Sequence, residues 1–327
     1  MGRRELKAVV QDKYGSPDVL ELRDIDKPVA KDDEVLIRVQ AASVNAADWH
    51  LMRGMPYIAR LALGLRKPKT KVRGGDVAGQ VEAVGKDVKQ FRPGDEVFAE
   101  VDTGSFAEFT RVSEDSLGLK PSNLTFEQAA AVPLAAVTAL QGLRDKGQIK
   151  PGQKILIYGA SGGVGTFAVQ LAKSFGADVT GVCSTKKVDM VRSIGADQVI
   201  DYTQEDFAQS GQRYDILFDL VGNRSLSDCR RALTPKGTLV LCGGEGGRWL
   251  GSVKLLIKAL LLGPFVSQKL TAFLAKTKHE DLLVLKELIE AGRVTPVIDR
   301  TYPLSEAPEA IRYLEGRQVQ GKIVITV

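Results

Sequence analysis

The fold is decided by residues 155–165, which read Ile155-Leu156-Ile157-Tyr158-Gly159-Ala160-Ser161-Gly162-Gly163-Val164-Gly165. An apolar run, a glycine-rich turn and a helix-forming sequence follow one another, as in a dinucleotide-binding strand–turn–helix unit. Glycines there let the backbone approach a pyrophosphate, which the N–H groups at the helix N-terminus attract. The strict motif is broken because Ala160 replaces its first glycine. We predict a nucleotide site at residues 159–165, and a turn used only for packing is the alternative.

The next strand end indicates which nucleotide binds. A site that prefers NAD carries a carboxylate about 20 residues beyond the glycines, but residues 181–188 contain no acidic residue. Two hydroxyls and two ammonium groups suit the 2′-phosphate of NADPH, although Lys186 and Lys187 could instead be solvated lysines of a helix start. The candidate cofactor residues at this and the later strand ends are Cys183, Ser184, Thr185, Lys186, Lys187, Tyr202, Val221, Gly222, Asn223, Cys242, Gly243 and Gly244.

Alternating strand and helix patterns extend around this motif from about residue 126. The candidate strands are residues 155–158, 179–183, 198–200, 216–220, 239–242 and 270–274. Such alternation predicts right-handed crossovers and an α/β fold with a doubly wound parallel Rossmann sheet. We assign this cofactor-binding domain to residues 126–277, with a long Ala-rich helix over residues 126–146.

The residues before 126 have a different pattern, in which short strands are separated by Gly and Pro. They predict an antiparallel, barrel-like catalytic domain over residues 1–125, with candidate strands at 7–11, 35–41, 77–84, 96–100 and 106–112. Residues 278–327, with a terminal strand at 322–326, are predicted to return to that domain.

Length, charge and cysteine content exclude several classes of protein. The chain has 327 residues, enough for about two domains. Its net charge of +5 does not require a nucleic-acid groove, and we predict no nucleic-acid partner. Three cysteines without paired spacing do not form a disulfide framework. No leader is evident in residues 1–6, so we expect a cytoplasmic location.

The most apolar stretch, residues 255–266, is too short to cross a bilayer and is interrupted by Lys258. A buried helix or a subunit contact explains it best. A wall of an apolar substrate pocket, or a surface that makes peripheral contact with a membrane, is the alternative.

Six motifs together resemble the zinc-independent quinone oxidoreductase branch of the medium-chain dehydrogenase/reductase superfamily, in which a GroES-like catalytic domain accompanies the Rossmann domain. The chain looks most like the subgroup of the chloroplast-envelope quinone oxidoreductase homologue and the mitochondrial reticulon-interacting oxidoreductase. The motifs lie at residues 42–49, 74–79, 91–97, 104–109, 131–139 and 160–165. The resemblance implies an NADPH-dependent oxidoreductase.

The resemblance also bears on metal binding. In the zinc alcohol dehydrogenases of this superfamily a Cys, a His and a second Cys hold the metal, and the matching positions here look like Asn45, Gly75 and Leu134. Zinc prefers thiolate, imidazole and carboxylate ligands, so we predict no metal site. Without a Lewis acid, oxidation of a simple alcohol is disfavoured.

A conjugated acceptor needs less help, because hydride addition to a quinone or an enone leaves a delocalised oxyanion that one or two hydrogen-bond donors stabilise. We therefore expect a small apolar quinone or α,β-unsaturated carbonyl as substrate. By resemblance, Asn45 donates to the substrate carbonyl or binds the nicotinamide ribose, although a turn-forming Asn is the alternative. Asp48 is the second candidate catalytic residue, with an N-cap role as its alternative. Thr138 is expected to reach toward the cofactor, unless it only packs.

A second hypothesis is a scaffold that binds NADPH but turns over little substrate and acts through protein or membrane contacts. In either case we expect a homodimer, because the last strand of the parallel sheet, at residues 270–274, would leave an exposed apolar edge.

Overall fold

A computed structural model describes residues 5–243, 259, 262 and 266–327. Its strands are β1 Glu5–Gln11, β2 Leu20–Asp26, β3 Glu34–Val44, β4 Asp76–Val84, β5 Glu96–Glu100, β6 Phe109–Ser113, β7 Leu117–Leu119, β8 Lys154–Tyr158, β9 Asp178–Cys183, β10 Gln198–Asp201, β11 Tyr214–Asp219, β12 Leu233–Leu241, β13 Lys269–Ala272, β14 Ile298–Pro303 and β15 Lys322–Thr326. Its α-helices are α1 Ala46–Arg53, α2 Arg60–Leu63, α3 Phe126–Ala130, α4 Pro133–Gln141, α5 Gly163–Ser174, α6 Val188–Ser193, α7 Leu226–Arg231, α8 His279–Glu290 and α9 Ala307–Glu315.

The chain forms two compact units. Unit 1 comprises Met1–Val137, Lys276–Gly292 and Pro296–Val327, and unit 2 comprises Thr138–Ala275 and Arg293–Thr295. Residues 126–137 therefore lie in unit 1, although the sequence analysis assigned them to the cofactor domain.

Unit 1 is built on a seven-stranded sheet in the order β14-β15-β3-β4-β5-β7, in which β6 also pairs with β3. Strands β1 and β2 form a separate antiparallel pair. The C-terminal strand β15 lies antiparallel to β3, so that Ile323 faces Val44, and this pairing brings Lys322 to the end of β3. On the other side of β3, strand β4 pairs Asp76 with Ser43. These two pairings position the polar cluster described below.

Unit 2 contains a six-stranded parallel sheet in the order β10-β9-β8-β11-β12-β13. Its buried strands are almost wholly apolar, as in Ile155, Leu156 and Ile157, because helices cover both faces of such a sheet. The α/β fold with a doubly wound parallel sheet is confirmed. None of the helices in the described ranges combines the length and apolar character needed to span a bilayer.

Several predicted elements differ from the structure. The helix predicted over residues 126–146 is interrupted, because α3 ends at Ala130, α4 begins at Pro133, and Gly142–Gly147 forms a π-helical turn. Proline is accepted in a first helical turn but not in a helix interior, which explains the break. The strand predicted from Phe106 begins at Phe109, and the sheet of unit 1 is not purely antiparallel, because β14 and β15 run parallel.

Candidate active and cofactor sites

The two candidate catalytic residues lie in a buried polar cluster of unit 1. Its members come from the ends of β3, β4 and β15 and from the start of α1. They are, with their exposed fractions, Ser43 (0%), Asn45 (6%), Asp48 (2%), Asp76 (0%) and Lys322 (2%). Charged groups buried to this extent require partners, so their hydrogen bonds define what the cluster can do.

Asp76 is the centre of the cluster. Its Oδ2 accepts hydrogen bonds from Ser43 Oγ and from Asn45 Nδ2, both at 2.9 Å. Its Oδ1 accepts the backbone N–H of Leu134 at 2.9 Å. Two of the three positions that resemble zinc-ligand positions in relatives therefore converge on this carboxylate, because Asn45 and Leu134 both donate to it.

Lys322 is the cation of the cluster. Its Nζ lies 3.4 Å from Asp76 Oδ2 and 3.4 Å from the carbonyl oxygen of Val44, and it donates to Asn45 Oδ1. Burial lowers the pKa of Lys322, and the nearby charges of Asp76 and Asp48 oppose that shift. Since Lys322 takes the amide oxygen of Asn45 and Asp76 takes one amide N–H, the orientation of the Asn45 amide is fixed.

Asp48 acts on the backbone of Asn45. Asn45 is the N-cap of α1, and the Asp48 carboxylate accepts its backbone N–H at 2.7 Å, as in a capping box. Burial raises the pKa of Asp48 to about 7, and the hydrogen bond from Asn45 opposes the rise. Asp48 therefore stands at the third helical position of α1, and the N-cap itself is Asn45 and not Asp48.

A third carboxylate borders the cluster. Register pairing across β4 and β5 places Glu100 opposite Asp76, and Glu100 accepts a hydrogen bond from Thr277 Oγ1. Burial raises the pKa of Glu100 to about 7, with a further contribution from the charges of Asp76 and Asp48. Unit 1 therefore holds two carboxyl groups that titrate near neutral pH.

The glycine turn of unit 2 has the predicted geometry. Helix α5 begins at Gly163 with Gly162 as its N-cap. A Cβ on Gly165 would overlap the Gly159 carbonyl oxygen and lie 2.7 Å from the carbonyl carbon of Ala160. A Cβ on Gly162 would approach only the Gly159 oxygen, at 3.6 Å, among the described atoms. Gly165 is needed for packing, whereas the space beside Gly162 is open to a phosphate and fits NADPH.

The β9 end carries the predicted cations and one unpredicted acid. Lys186 is exposed and Lys187 is half-buried, in the turn that follows Cys183 and Ser184. Strand β10 pairs Asp201 with Cys183, so a carboxylate stands beside this turn. Hydrogen bonds from Thr185 and Thr203 lower the pKa of Asp201. Asp201 was not predicted, because only the pairing of β10 with β9 brings it to this turn.

The remaining candidate cofactor residues lie at neighbouring strand ends of unit 2. Buried Asp219 closes the turn after β11, because its Oδ1 accepts the N–H groups of Val221 at 2.9 Å and Gly222 at 2.8 Å. Asn223 Oδ1 accepts a hydrogen bond from Tyr158 Oη at 2.8 Å. The other members of the predicted set are exposed Tyr202 and Gly243, buried Thr138, half-buried Cys242, and Gly244, which lies outside the described residues.

Comparison with known proteins places the chain in a family. The model of the alcohol dehydrogenase GroES-like domain matches residues 31–133, and that of the zinc-binding dehydrogenase domain matches residues 194–325. The NADPH-dependent alkenal/one oxidoreductase of Arabidopsis thaliana chloroplasts is 37% identical, over 98% of this chain and 80% of the relative. The quinone oxidoreductase structure from Coxiella burnetii superposes with a TM-score of 0.87 and 31% identity, over 99% of this chain and 100% of that one. The chain belongs to the quinone oxidoreductase branch of the medium-chain dehydrogenases/reductases.

A further structure of this branch was solved with the predicted cofactor. The Escherichia coli quinone oxidoreductase complexed with NADPH superposes with a TM-score of 0.85 and 28% identity, over 98% of this chain and 100% of that one. The predicted family and the predicted combination of a GroES-like and a Rossmann domain are confirmed for this quinone oxidoreductase homologue.

Sequence reasoning missed two charged residues of the unit 1 cluster and the carboxylate that borders it. Asp76 was quoted only as part of a motif, and Lys322 and Glu100 were assigned no role. Their signal was available as charged residues at the ends of strands that are otherwise apolar, such as Lys322 before Ile323 and Val324. Nothing in the sequence, however, shows that residues 45, 76 and 322 meet.

Proposed function

We propose that this quinone oxidoreductase homologue uses NADPH to reduce quinones or other α,β-unsaturated carbonyls. The observation that carries the proposal is the glycine turn at residues 159–165, with Lys186 and Lys187 at the adjacent strand end. The names of the relatives agree, since one is an NADPH-dependent alkenal/one oxidoreductase and another is a quinone oxidoreductase solved with NADPH.

Bound NADPH would supply the hydride. The turn at Gly162 and the first N–H groups of α5 would hold its pyrophosphate. Lys186 and Lys187, together with the hydroxyls of Ser184 and Thr185, would bind its 2′-phosphate. The other strand-end residues named above, Tyr202, Val221, Gly222, Asn223, Cys242, Gly243 and Gly244, and Thr138 of α4, complete the proposed set.

In unit 1, we assign Asn45 the role of hydrogen-bond donor to the substrate carbonyl. Its Oδ1 is occupied by Lys322 and one Nδ2 hydrogen by Asp76, which leaves one amide hydrogen for a ligand. An N–H held in place before the reaction stabilises the oxyanion that develops as hydride is delivered. Asp48 is then a positioning residue, because it holds the backbone of Asn45.

We propose that this reaction is zinc-independent. An amide, a glycine and a leucine stand at the three positions that resemble metal-ligand positions, and none is a ligand that zinc prefers. The Lys322 ammonium already supplies a positive charge to Asn45 and Asp76. A cation there repels a second cation, which supports the proposal.

The decisive experiment measures NADPH and NADH oxidation by the EDTA-treated protein with 9,10-phenanthrenequinone, an alkenal and a plain aldehyde. We expect turnover of the quinone or the alkenal, a preference for NADPH and no effect of EDTA. Loss of activity in EDTA, restored by zinc, would overturn zinc independence. NADPH binding by fluorescence without any turnover would instead favour the scaffold hypothesis.

We also propose a homodimer. Strand β13 is the edge of the parallel sheet and pairs only with β12 among the described strands, and Leu274 beside it is 91% exposed. Light scattering should therefore give twice the mass of one chain, and Thr271→Pro, which disrupts edge pairing, should give monomers. A parent protein that is monomeric at micromolar concentration would contradict this proposal.

A cytoplasmic location and peripheral membrane contact are proposals as well. The cysteines, all three of them unpaired in the structure, support a reducing compartment. The predicted segment for membrane contact is residues 255–266, of which the structure describes only Ala259, Leu262 and Val266. Fractionation of host cells tests the first proposal, and vesicle flotation of Leu262→Asp tests the second.

A further inference from the structure

Residues 57–71 of unit 1, here called the Leu61 surface, expose apolar side chains in an unusual concentration. Ile58, Leu61 and Leu65 are 42%, 73% and 67% exposed. They lie on or beside the short helix α2, and exposed Arg66, Lys67, Lys69 and Lys71 follow them. Large apolar side chains clustered at the surface commonly mark an interaction site.

This surface has the reverse of the usual polarity of a helix at the protein surface. The charged residue of α2, Arg60, turns toward unit 1, where its Nε donates to the carbonyl oxygen of Gly54 at 2.9 Å. Its guanidinium also stacks on the rings of Tyr14 and Tyr57, at 4.5 and 4.7 Å from their centroids. The inward contacts of Arg60 are thus polar and aromatic, and Leu61 of the same helix faces solvent.

The segment is also held in one shape. Tyr14 Oη donates to the carbonyl oxygen of Gly64 at 2.8 Å, and the Lys69 N–H donates to that of Leu63 at 2.9 Å. Pro68 is buried between the exposed lysines. The leucines are therefore presented by a fixed backbone, so that a partner would not have to order the segment before binding it.

The charge of the Leu61 surface restricts its partner. Residues 57–71 contain two Arg and three Lys but no Asp or Glu. A second copy docked symmetrically would bring these cations against themselves, which disfavours self-association here. An anionic lipid bilayer complements this arrangement, because its acyl-chain interior is apolar and its headgroups are negatively charged.

We propose that the Leu61 surface binds anionic lipid membranes peripherally. Leu61 and Leu65 enter the boundary between headgroups and acyl chains, while Lys67 and Lys69 contact the negative headgroups. This contact does not depend on the proposed reductase activity, and it lies in a segment other than residues 255–266.

Flotation of the full chain with vesicles tests the proposal. We expect the chain to float with vesicles made of equal parts of phosphatidylcholine and phosphatidylserine, to be released by high salt, and not to float with phosphatidylcholine alone. Leu61→Ser/Leu65→Ser should weaken binding at least about tenfold, because it removes the apolar insertion. Lys67→Gln/Lys69→Gln should weaken it about 25-fold at low salt, since each cation contributes about fivefold.

A matched control is Leu22→Ser/Val29→Ser, which removes two side chains that are 42% and 82% exposed elsewhere on the chain. This control should float like the parent, and all variants should keep the parent's thermal unfolding midpoint and turnover. Failure of the parent to float would overturn the proposal. So would loss of flotation only in Leu262→Asp, or a Leu61→Ser/Leu65→Ser variant that loses self-association and keeps lipid binding.

Discussion

The glycine turn of unit 2 and the polar cluster of unit 1 differ in the part of the chain that forms the site, which is backbone in the turn and side chain in the cluster. At residues 159–165 the backbone forms the site, and the essential property of Gly165 is that it has no side chain. In the cluster, side chains form the site, and Asp76 organises Ser43, Asn45 and Lys322 around itself. The turn is contiguous in sequence, whereas the cluster joins residues that are 246 positions apart.

This difference implies different responses to substitution. In a site made of backbone, an added methyl group either collides with the chain or enters the space meant for the ligand. In a buried cluster of charges, removal of one member leaves the others without compensation. Substitutions in the cluster should therefore cost more stability than substitutions in the turn.

The largest effect is expected for Lys322→Met. It removes the buried cation beside Asp76 and Asn45, and a buried ion pair broken in this way typically costs about 3–5 kcal/mol of unfolding free energy. Urea denaturation, followed by circular dichroism, measures the loss. Lys322→Arg, which retains the charge, should lose less.

The double variant Lys322→Met/Asp76→Asn tests whether the loss comes from charge. It removes both members of the pair, so its loss of unfolding free energy should be smaller than the sum of the losses in Lys322→Met and Asp76→Asn. If the losses simply add, or if Lys322→Met costs less than about 1 kcal/mol, the cluster does not depend on its central pair, and the contrast with the turn fails.

The next largest effect is expected for Gly165→Ala. The new Cβ would overlap the Gly159 carbonyl oxygen, so the turn must shift, at a cost of about 1–3 kcal/mol in unfolding free energy. Gly162→Ala is the matched control, because its Cβ has only one neighbour, at 3.6 Å. The control should unfold like the parent but bind NADPH more weakly, as measured by cofactor fluorescence. Equal effects of the two substitutions on stability would contradict the assignment of separate roles.

The same contrast explains what the sequence could predict. The turn, the succession of strands and helices along the chain, and the α/β class follow from local patterns, because apolar runs, glycines and helix starts are contiguous in the chain. The cluster depends on the register of β15 against β3 and of β4 against β3, which sets Lys322 and Asp76 beside Asn45. Asp201 was missed for the same reason, since only the pairing of β10 with β9 brings it to Cys183. Local pattern does not encode strand neighbours, so the resemblance to a family supplied Asn45 but not its partners.

A smaller effect is expected at the β9 end, where side chains add to the site made of backbone. Lys186→Ala/Lys187→Ala should weaken NADPH binding about tenfold and leave NADH binding nearly unchanged, because only NADPH carries the 2′-phosphate. Titration of cofactor fluorescence measures both affinities. The control Lys86→Ala/Lys89→Ala removes the same net charge from unit 1 and should change neither. Equal weakening of both cofactors would mean that the lysines are only solvated surface charges.

The smallest effect concerns Glu100 and the pH dependence of the cluster. The pKa of Glu100 is raised from 4.5 to about 7. Between pH 4.5 and pH 7 this carboxyl group therefore holds its proton in the folded chain and has mostly lost it in the unfolded chain. This contribution to stability is therefore complete below about pH 4.5 and is lost as pH rises toward 7. Glu100→Gln keeps an acceptor for Thr277 but does not titrate. At pH 8 its unfolding free energy, measured by urea denaturation, should therefore exceed the parent's by about 1 kcal/mol, a value that allows for the partial exposure of Glu100. Asp48, whose pKa is also raised to about 7, still titrates in this variant. The slope of stability against pH should therefore be reduced and not abolished, and an unchanged slope would remove Glu100 from the set of groups that titrate with folding.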